Sequence, residues 1–358
     1  MSGIGGWIDG WGEGRGAATL VRMSRGMRRG DELRREAYLT GSLGIFSHVV
    51  GKGEGLGFGD GFVAAWEGKI GENSAEIMRR YGKARERVAE GLCGSFALGV
   101  GDEKRGELIL ARGDELSPPL YYTRDEGRLL FATEIQGILA VSEGAERVAR
   151  TRLLAHLSAP VGTFPPESFY EGIRALPAGH TLVADRLGMR VFAHHTQKWE
   201  KEGDEVLDVG ALLPDEGALD AALHEGLEAF ECPAFDHAMP AYLAAVRQGG
   251  REWVTVEDES LFWNLEYAHE RAARLGARLG VRICPVPPGA PSGRGRELKQ
   301  MEALLRARLT KADPYLLSYL FEGRQEALIG GEKRIETRIR RLGLMLQAVE
   351  WSHRVAIL

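Results

Sequence analysis

Through the first half of the chain, short β-like apolar runs alternate with Gly-rich turns, at residues 4–8, 41–50, 62–67, 95–100, 108–112, 120–123, 129–132 and 181–184. The chain has 48 glycines, crowded before position 106, so this half predicts strands and tight turns, not long helices. The links Asp102-Glu103-Lys104-Arg105-Gly106 and Arg124-Asp125-Glu126-Gly127 have hairpin-like lengths. Helical periodicity interrupts the runs at 17–29, at 74–93 (Ile77, Tyr81, Ala84 and Val88 at helical spacing) and at 152–157. Antiparallel strands with a few intervening helices predict layered sheets covered by helices, an α+β arrangement.

Past Trp199 the texture changes. Residues 201–215 are polar and acidic and read as a linker or surface loop. Mostly helical patterns follow: Leu219, Leu223 and Leu227 at every fourth position, 242–247, 265–279, and Ile335, Ile339, Leu342, Leu346 and Val349 on one face of a final helix. Two short runs, 253–256 and 281–286, read as buried strands. The domain boundary is expected near residue 200, giving domains 1–198 and 199–358.

The 358 residues suffice for two domains, and 44% hydrophobic with 27% charged residues is a globular composition. The net charge of −5 argues against a nucleic-acid partner, which needs clustered basic residues. The cluster Arg334, Arg338, Arg340 and Arg341 reads as a solvated helix face. No apolar run reaches the roughly 18 residues of a membrane span, and the opening residues lack a secretory pattern. Three widely spaced cysteines, Cys93, Cys232 and Cys284, make no disulfide framework, so a cytoplasmic location is expected.

Three stretches then resemble one family in the right order. MSGIGGWID resembles an opening Met-Cys-Gly-Ile-x-Gly. Residues 106–140, GELILARGDELSPPLYYTRDEGRLLFATEIQGILA, resemble a run of Leu-Ala-Arg-Asp, Pro-Leu-Tyr-Tyr and Phe-Ala-Ser-Glu-Ile-Lys. Residues 169–185, FYEGIRALPAGHTLVAD, resemble Phe-x-Gly-Ile-x-x-Leu-Pro-Pro-Gly-His-x-Leu. The family is that of the asparagine synthetases, whose glutaminase domains are class II glutamine amidotransferases of the N-terminal-nucleophile (Ntn) fold. The resemblance implies an αββα sandwich over 1–198. It further implies a mature N-terminal Cys that attacks the glutamine amide, a Gly N–H and an Asn amide as oxyanion hole, and an Arg and an Asp that hold the substrate's charged ends.

The departures fall on those positions. Ser2 stands at the nucleophile. Ser47, in Ile45-Phe46-Ser47-His48, falls where the family carries its Arg clamp. Gly68 keeps the hole's Gly, but Glu67 replaces the Asn, and a carboxylate repels a developing oxyanion. Cys93 replaces the Asp. Arg29-Gly30-Asp31 is a weak match to the family's Arg-Gly-Pro-Asp. The family's second domain activates a carboxylate with ATP through a Ser-Gly-Gly-x-Asp-Ser loop, and no such sequence occurs here. Gly249-Gly250 and Gly330-Gly331 lack its flanking residues, and residues 292–295, SGRG, read as a loop. The segment bearing that loop belongs between 199 and 216. Residues 231–264 resemble a later stretch of the same domain, which puts Glu257, Asp258 and Glu259 on a vestigial ATP loop. A competing register for 265–288 restores no ATP site either.

Other clusters have plain readings. His194 and His195 sit on an expected strand with side chains on opposite faces, a poor metal pair. Cys232 and His237 lack a second spaced pair, and Glu257–Glu259 read as a solvated acidic turn, so no metal and no cofactor are expected. The chain is therefore read as a non-catalytic, asparagine-synthetase-like protein with a reduced, mainly α-helical second domain. It would act as a binding, scaffold or regulatory subunit, either as a homo-oligomer or with an active amidotransferase or synthetase. A Ser2-dependent Ntn amidohydrolase whose pocket is lined by Glu67, Lys69 and Cys93, and an amide-forming or cyclising accessory protein, are the alternatives.

Overall fold

A computed structural model describes residues 3–9, 16–27, 34–49, 55–125, 127–142, 147–149, 151–152, 155, 168–195, 206–207, 216–230, 239, 243, 253–257, 272–276, 279, 282–286, 295–314, 317 and 333–354. The chain forms two compact units: Met1–Arg147 with Pro166–Glu202, and Val148–Pro165 with Gly203–Leu358.

The first unit contains two six-stranded antiparallel sheets. Its strands are β1 (Gly3–Asp9), β2 (Arg34–Leu39), β3 (Leu43–Val49), β4 (Leu56–Phe58), β5 (Phe62–Ile70), β6 (Gly94–Asp102), β7 (Glu107–Arg112), β8 (Tyr121–Asp125), β9 (Arg128–Ala132), β10 (Arg174–Ala175), β11 (His180–Asp185) and β12 (Gly188–Ala193). One sheet runs β10-β8-β9-β1-β3-β2 and the other β12-β11-β7-β6-β5-β4. Helices α1 (Gly16–Gly26) and α3 (Ile135–Leu139) pack on the first sheet and α2 (Ser74–Ala84) on the second, completing the αββα sandwich.

Period-two alternation builds both faces of the second sheet. Val63 and Ala65 of β5, Ala97 of β6, and Leu108 and Leu110 of β7 point inward to meet Ile4, Ile8, Leu43, Ile45 and Phe131 of the first sheet. Their neighbours Ala64, Phe96, Leu98, Val100, Ile109 and Ala111 point outward beneath Ile77, Met78 and Tyr81 of α2. Each fully buried Leu, Ile or Phe contributes about 1.5–3 kcal/mol. The central strands β3 and β6 are buried along their whole length, which is why they read as continuous apolar runs.

Strands β2, β4 and β10 were not expected, and β12 was expected only as the strand carrying His194 and His195. β2 and β12 lie at sheet edges and carry exposed charges, Arg34 and Arg35 in the one and Arg190 in the other. β4, with three residues, is too short for a pattern. The helix expected over 74–93 ends early. Asn73 Oδ1 caps its start by accepting from Glu76 N–H at 3.0 Å, but Arg85 takes φ +54° and turns the chain into a 3-10 turn, Arg85–Arg87. His194 and His195 follow β12 and are not on it; His194 is buried and His195 exposed.

In the second unit, β13 (Val206–Leu207), β14 (Trp253–Glu257) and β15 (Arg282–Val286) form a parallel sheet in that order. The expected linker 201–215 thus contains a strand, and the helix Glu216–Phe230 follows it. A two-residue strand carries no periodicity to read. Gly295, expected in a loop, opens the helix Gly295–Leu309, which buries Met301 and Leu305 one turn apart. The final helix Ile335–Arg354 is buried over much more than one stripe. Its basic cluster is not a solvated face. Arg340 is fully buried and Arg338 donates to Glu302 at 2.9 Å; only Arg334 is exposed. No helix among the described residues is long and apolar enough to cross a membrane.

Candidate active site

The inner faces of the two sheets meet in matching rows. On the first sheet, Ile8 pairs with Leu43 and Leu129, Gly6 with Ile45 and Phe131, and Ile4 with Ser47. On the second, Val63 aligns with Gly101 and Leu108, Ala65 with Gly99 and Leu110, and Glu67 with Ala97 and Arg112. The rows are keyed by two glycines. A Cβ on Gly101 would strike Leu43 and Ile45, and one on Gly99 would press on Phe131. One step further along the strands, Ser47 and Ile4 therefore lie opposite Glu67, Ala97 and Arg112. Here the apolar core gives way to polar side chains, at the start of β1.

The backbone of this row is tied down. Thr133 N–H donates to Ile4 O at 3.0 Å, and Ile4 N–H donates to Thr133 Oγ1 at 3.2 Å, which fixes the first turn of β1 against the end of β9. Arg112 is 3% exposed and its guanidinium donates to the carbonyls of Pro118 at 3.1 Å, Ser117 at 3.0 Å and Leu176 at 3.3 Å. Asp114 is buried beside it. It accepts from Ser95 Oγ at 3.0 Å, from Ser117 Oγ at 3.1 Å and from Leu116 N–H at 3.1 Å, while Ser117 Oγ accepts from Phe96 N–H at 2.9 Å.

Two glycines let β5 and β6 approach closely at this end. Gly68 sits at φ +94° with Ser95 O 2.2 Å from where a Cβ would be. Gly94 sits at φ +130° with Lys69 O at 2.1 Å from its Cβ position. No L side chain fits either place without displacing backbone.

Four residues expected in the glutamine pocket lie around this end. Glu67 is buried at 3% exposure and Ser47 at 1%, both on inward-facing positions. Among the described residues, Ser47 Oγ has no hydrogen-bond partner. Gly68 follows Glu67 at the exposed rim with Lys69, and Cys93, half-buried, precedes Gly94, which pairs with Ile70. Ser2 lies outside the described residues. In the second unit Glu257 closes β14, the middle strand, at its carboxyl end; Asp258 and Glu259 lie outside the described residues, as do Cys232 and His237. No group of three or more metal-binding side chains occurs among the described residues.

Thr133 and the Ser95–Asp114–Ser117 network were not foreseen. The spacing of Asp114 and Ser117 is a readable turn signal. Arg112 lies in the stretch 106–140 that carries the resemblance, but its burial and its acceptor Leu176, 64 residues on, were not foreseen.

Residues 72–199 match the family described as Glutamine amidotransferase domain. The chain is 30% identical over 143 residues to Asparagine synthetase [glutamine-hydrolyzing] 3 of Bacillus subtilis, covering 39% of this chain and 23% of that protein. It is 28% identical over 120 residues to Putative asparagine synthetase [glutamine-hydrolyzing] 2 of Methanocaldococcus jannaschii, covering 33% of this chain and 23% of that one. Amidase chry2 of Gibberella zeae is 34% identical over 118 residues, covering 32% of this chain and 16% of that protein. The matches thus span less than a quarter of these relatives' length. Among solved structures, glutamine phosphoribosylpyrophosphate amidotransferase from B. subtilis aligns with a TM-score of 0.38 at 12% identity, over 78% of this chain and 65% of that one.

Proposed function

Because the first unit is an asparagine synthetase-like class II glutamine amidotransferase domain, we propose that this chain uses it as a binding module and does not release ammonia from glutamine. The observation that carries this reading is Glu67, a buried carboxylate on the inner face immediately before Gly68. A tetrahedral intermediate places negative charge on the substrate oxygen. Loss of one neutral donor to that oxygen costs about 10²–10³ in rate, and a fixed negative charge works in the same direction. Ser47 and Cys93, where the resemblance puts an Arg and an Asp, bring no fixed charge to orient an amino acid's two ends.

In the second unit, the sequence offers no Ser-Gly-Gly-x-Asp-Ser loop for pyrophosphate, which supports the same reading for ATP-dependent amide synthesis. The module would serve as a scaffold or regulatory subunit, self-associated or bound to an active amidotransferase or synthetase. The direct test incubates the purified chain with L-glutamine and measures ammonia. No release above buffer is expected; sustained release overturns the reading. AMP production from ATP by the chain alone would do the same for the second unit.

A further inference from the structure

On the outer face of the first sheet, the half-buried Ser24 of α1 meets His48 of β3, with Ser24 Oγ 2.8 Å from His48 Nε2. His48 is fully buried, and its ring packs on that of Phe46 with centroids 5.2 Å apart. The imidazole is thus held by packing while its Nε2 meets a hydroxyl that solvent reaches. A second hydroxyl–imidazole pair in the same unit, Thr181 with His194 at 2.9 Å, has both members buried. The two pairs share one chemistry, but of the two only Ser24–His48 can be met by a molecule arriving from solvent. Ser24 is also the less hindered hydroxyl, a primary alcohol against the secondary alcohol of Thr181. Three residues back on the same side of the helix, Val21 is 49% exposed, a large apolar side chain left in water.

A hydroxyl within hydrogen-bond reach of a positioned imidazole is the arrangement that activates serine as a nucleophile. We propose that Ser24 is acylated by small activated esters, with His48 as general base and Val21 as the resting place of a short apolar acyl chain. Ser24 Oγ attacks the ester carbonyl carbon while its proton passes to His48 Nε2. The tetrahedral intermediate then collapses. The bond to the leaving oxygen breaks, and that oxygen keeps the electron pair and takes the proton from Nε2. The products are acyl-Ser24 and the free alcohol, with His48 neutral again. His48 and Ser47 are neighbours on β3 and point to opposite faces, so this site is separate from the inner one. The proposal therefore does not depend on the binding-module reading.

The probe is p-nitrophenyl acetate, incubated with the full chain. Absorbance follows p-nitrophenolate release, and peptide mass spectrometry reads the site of acetylation. A burst of p-nitrophenolate equal to the protein present is expected, with acetyl on Ser24. Ser24→Ala, a change at a half-buried helix position, should lose the burst, while Thr181→Ala should leave it unchanged. His48→Gln should slow acetylation of Ser24 by about 10²-fold or more, the usual worth of a general base. The butyrate ester should react faster than the acetate, and Val21→Ser should remove that preference. If the His48 variant fails to fold, the pH dependence takes its place. Attack assisted by imidazole reaches a plateau once the ring is neutral, whereas unassisted attack rises with hydroxide throughout. Four results overturn the proposal: no acetyl on Ser24, a burst unchanged in Ser24→Ala, butyrate no faster than acetate, or acetylation that ignores His48. The last is read as an unaltered rate in folded His48→Gln or as a rate that tracks hydroxide.

Discussion

Buried polar groups of the first unit lie both on the outer face of the sheet β12-β11-β7-β6-β5-β4 and between the two sheets. Beneath α2, Tyr81 Oη donates to Asp102 at 2.9 Å, Arg105 N–H donates to the same carboxylate at 3.0 Å, and Arg85 reaches it at 3.3 Å while lying over the Tyr81 ring. Burial, then the hydrogen bond from its hydroxyl to Asp102, pushes the Tyr81 phenol well above its usual range. Farther along the sheet, Thr181 Oγ1 and His194 Nδ1 pair at 2.9 Å. The Tyr81–Asp102 bond holds α2 to β6. On the inner face, at the level of Glu67, Ser47 is left without a hydrogen-bond partner among the described residues.

The largest expected effect breaks the close approach on which the inner face depends. In Gly68→Ala, the new Cβ must displace Ser95 O from 2.2 Å, at a φ of +94° that L side chains avoid. A loss of about 3 kcal/mol or more in unfolding free energy is expected from combined overpacking and strain. Denaturant unfolding checks it. A loss below about 1 kcal/mol would mean that β5 and β6 separate easily here, and that the site is not held by backbone contact.

The outer face makes the next prediction. Burial pushes the His194 imidazole down to about 4; Glu90 opposes the shift and His180 adds to it. The unfolded chain takes up this proton near pH 6.5, the folded one only near 4. The stability contributed by neutral His194 is therefore full above pH 6.5, falls as the pH drops from there towards 4, and levels off below, by about 3 kcal/mol in all. Urea midpoints across pH 4–7 measure it, and His194→Gln should flatten the slope over that window. Tyr81→Phe comes next. It removes one donor to Asp102 but leaves Arg85 and the Arg105 amide, so a loss of about 2 kcal/mol is expected in urea titration at neutral pH.

Sequence and structure agree where a residue's environment is set by its own strand. Period-two alternation revealed the strands whose faces are apolar, and Glu67, Gly68 and Cys93, singled out by the resemblance, lie at one end of the paired strands β5 and β6. What stayed hidden depends on partners far along the chain. Arg112, at the end of an apolar strand, resembles any solvent-exposed strand terminus until the Ser117–Pro118 turn and Leu176 supply carbonyls. Edge strand β2 is polar because one of its sides has no neighbour, and Arg340 is buried by helices that its own sequence does not announce. The end of α2 at Arg85 was invisible for another reason. A non-glycine residue at φ +54° is an exception to the backbone preferences on which helix boundaries are read.

The smallest expected effect is the sharpest discriminator between the two faces. If Ser47 were part of a structural network, Ser47→Ala would cost about 1 kcal/mol, the usual worth of a buried hydrogen bond. With Oγ unpartnered, the folded state already bears the desolvation of that hydroxyl, and removing it leaves one buried methyl beside Ile4 and Ile45. Stability should then be unchanged within about 0.5 kcal/mol or slightly raised, because the small cavity lost with the oxygen is offset by the end of an unsatisfied polar group. Thermal and urea unfolding of the variant at neutral pH settle the sign. A clear destabilisation would assign Ser47 to the scaffold along with Tyr81 and Thr181.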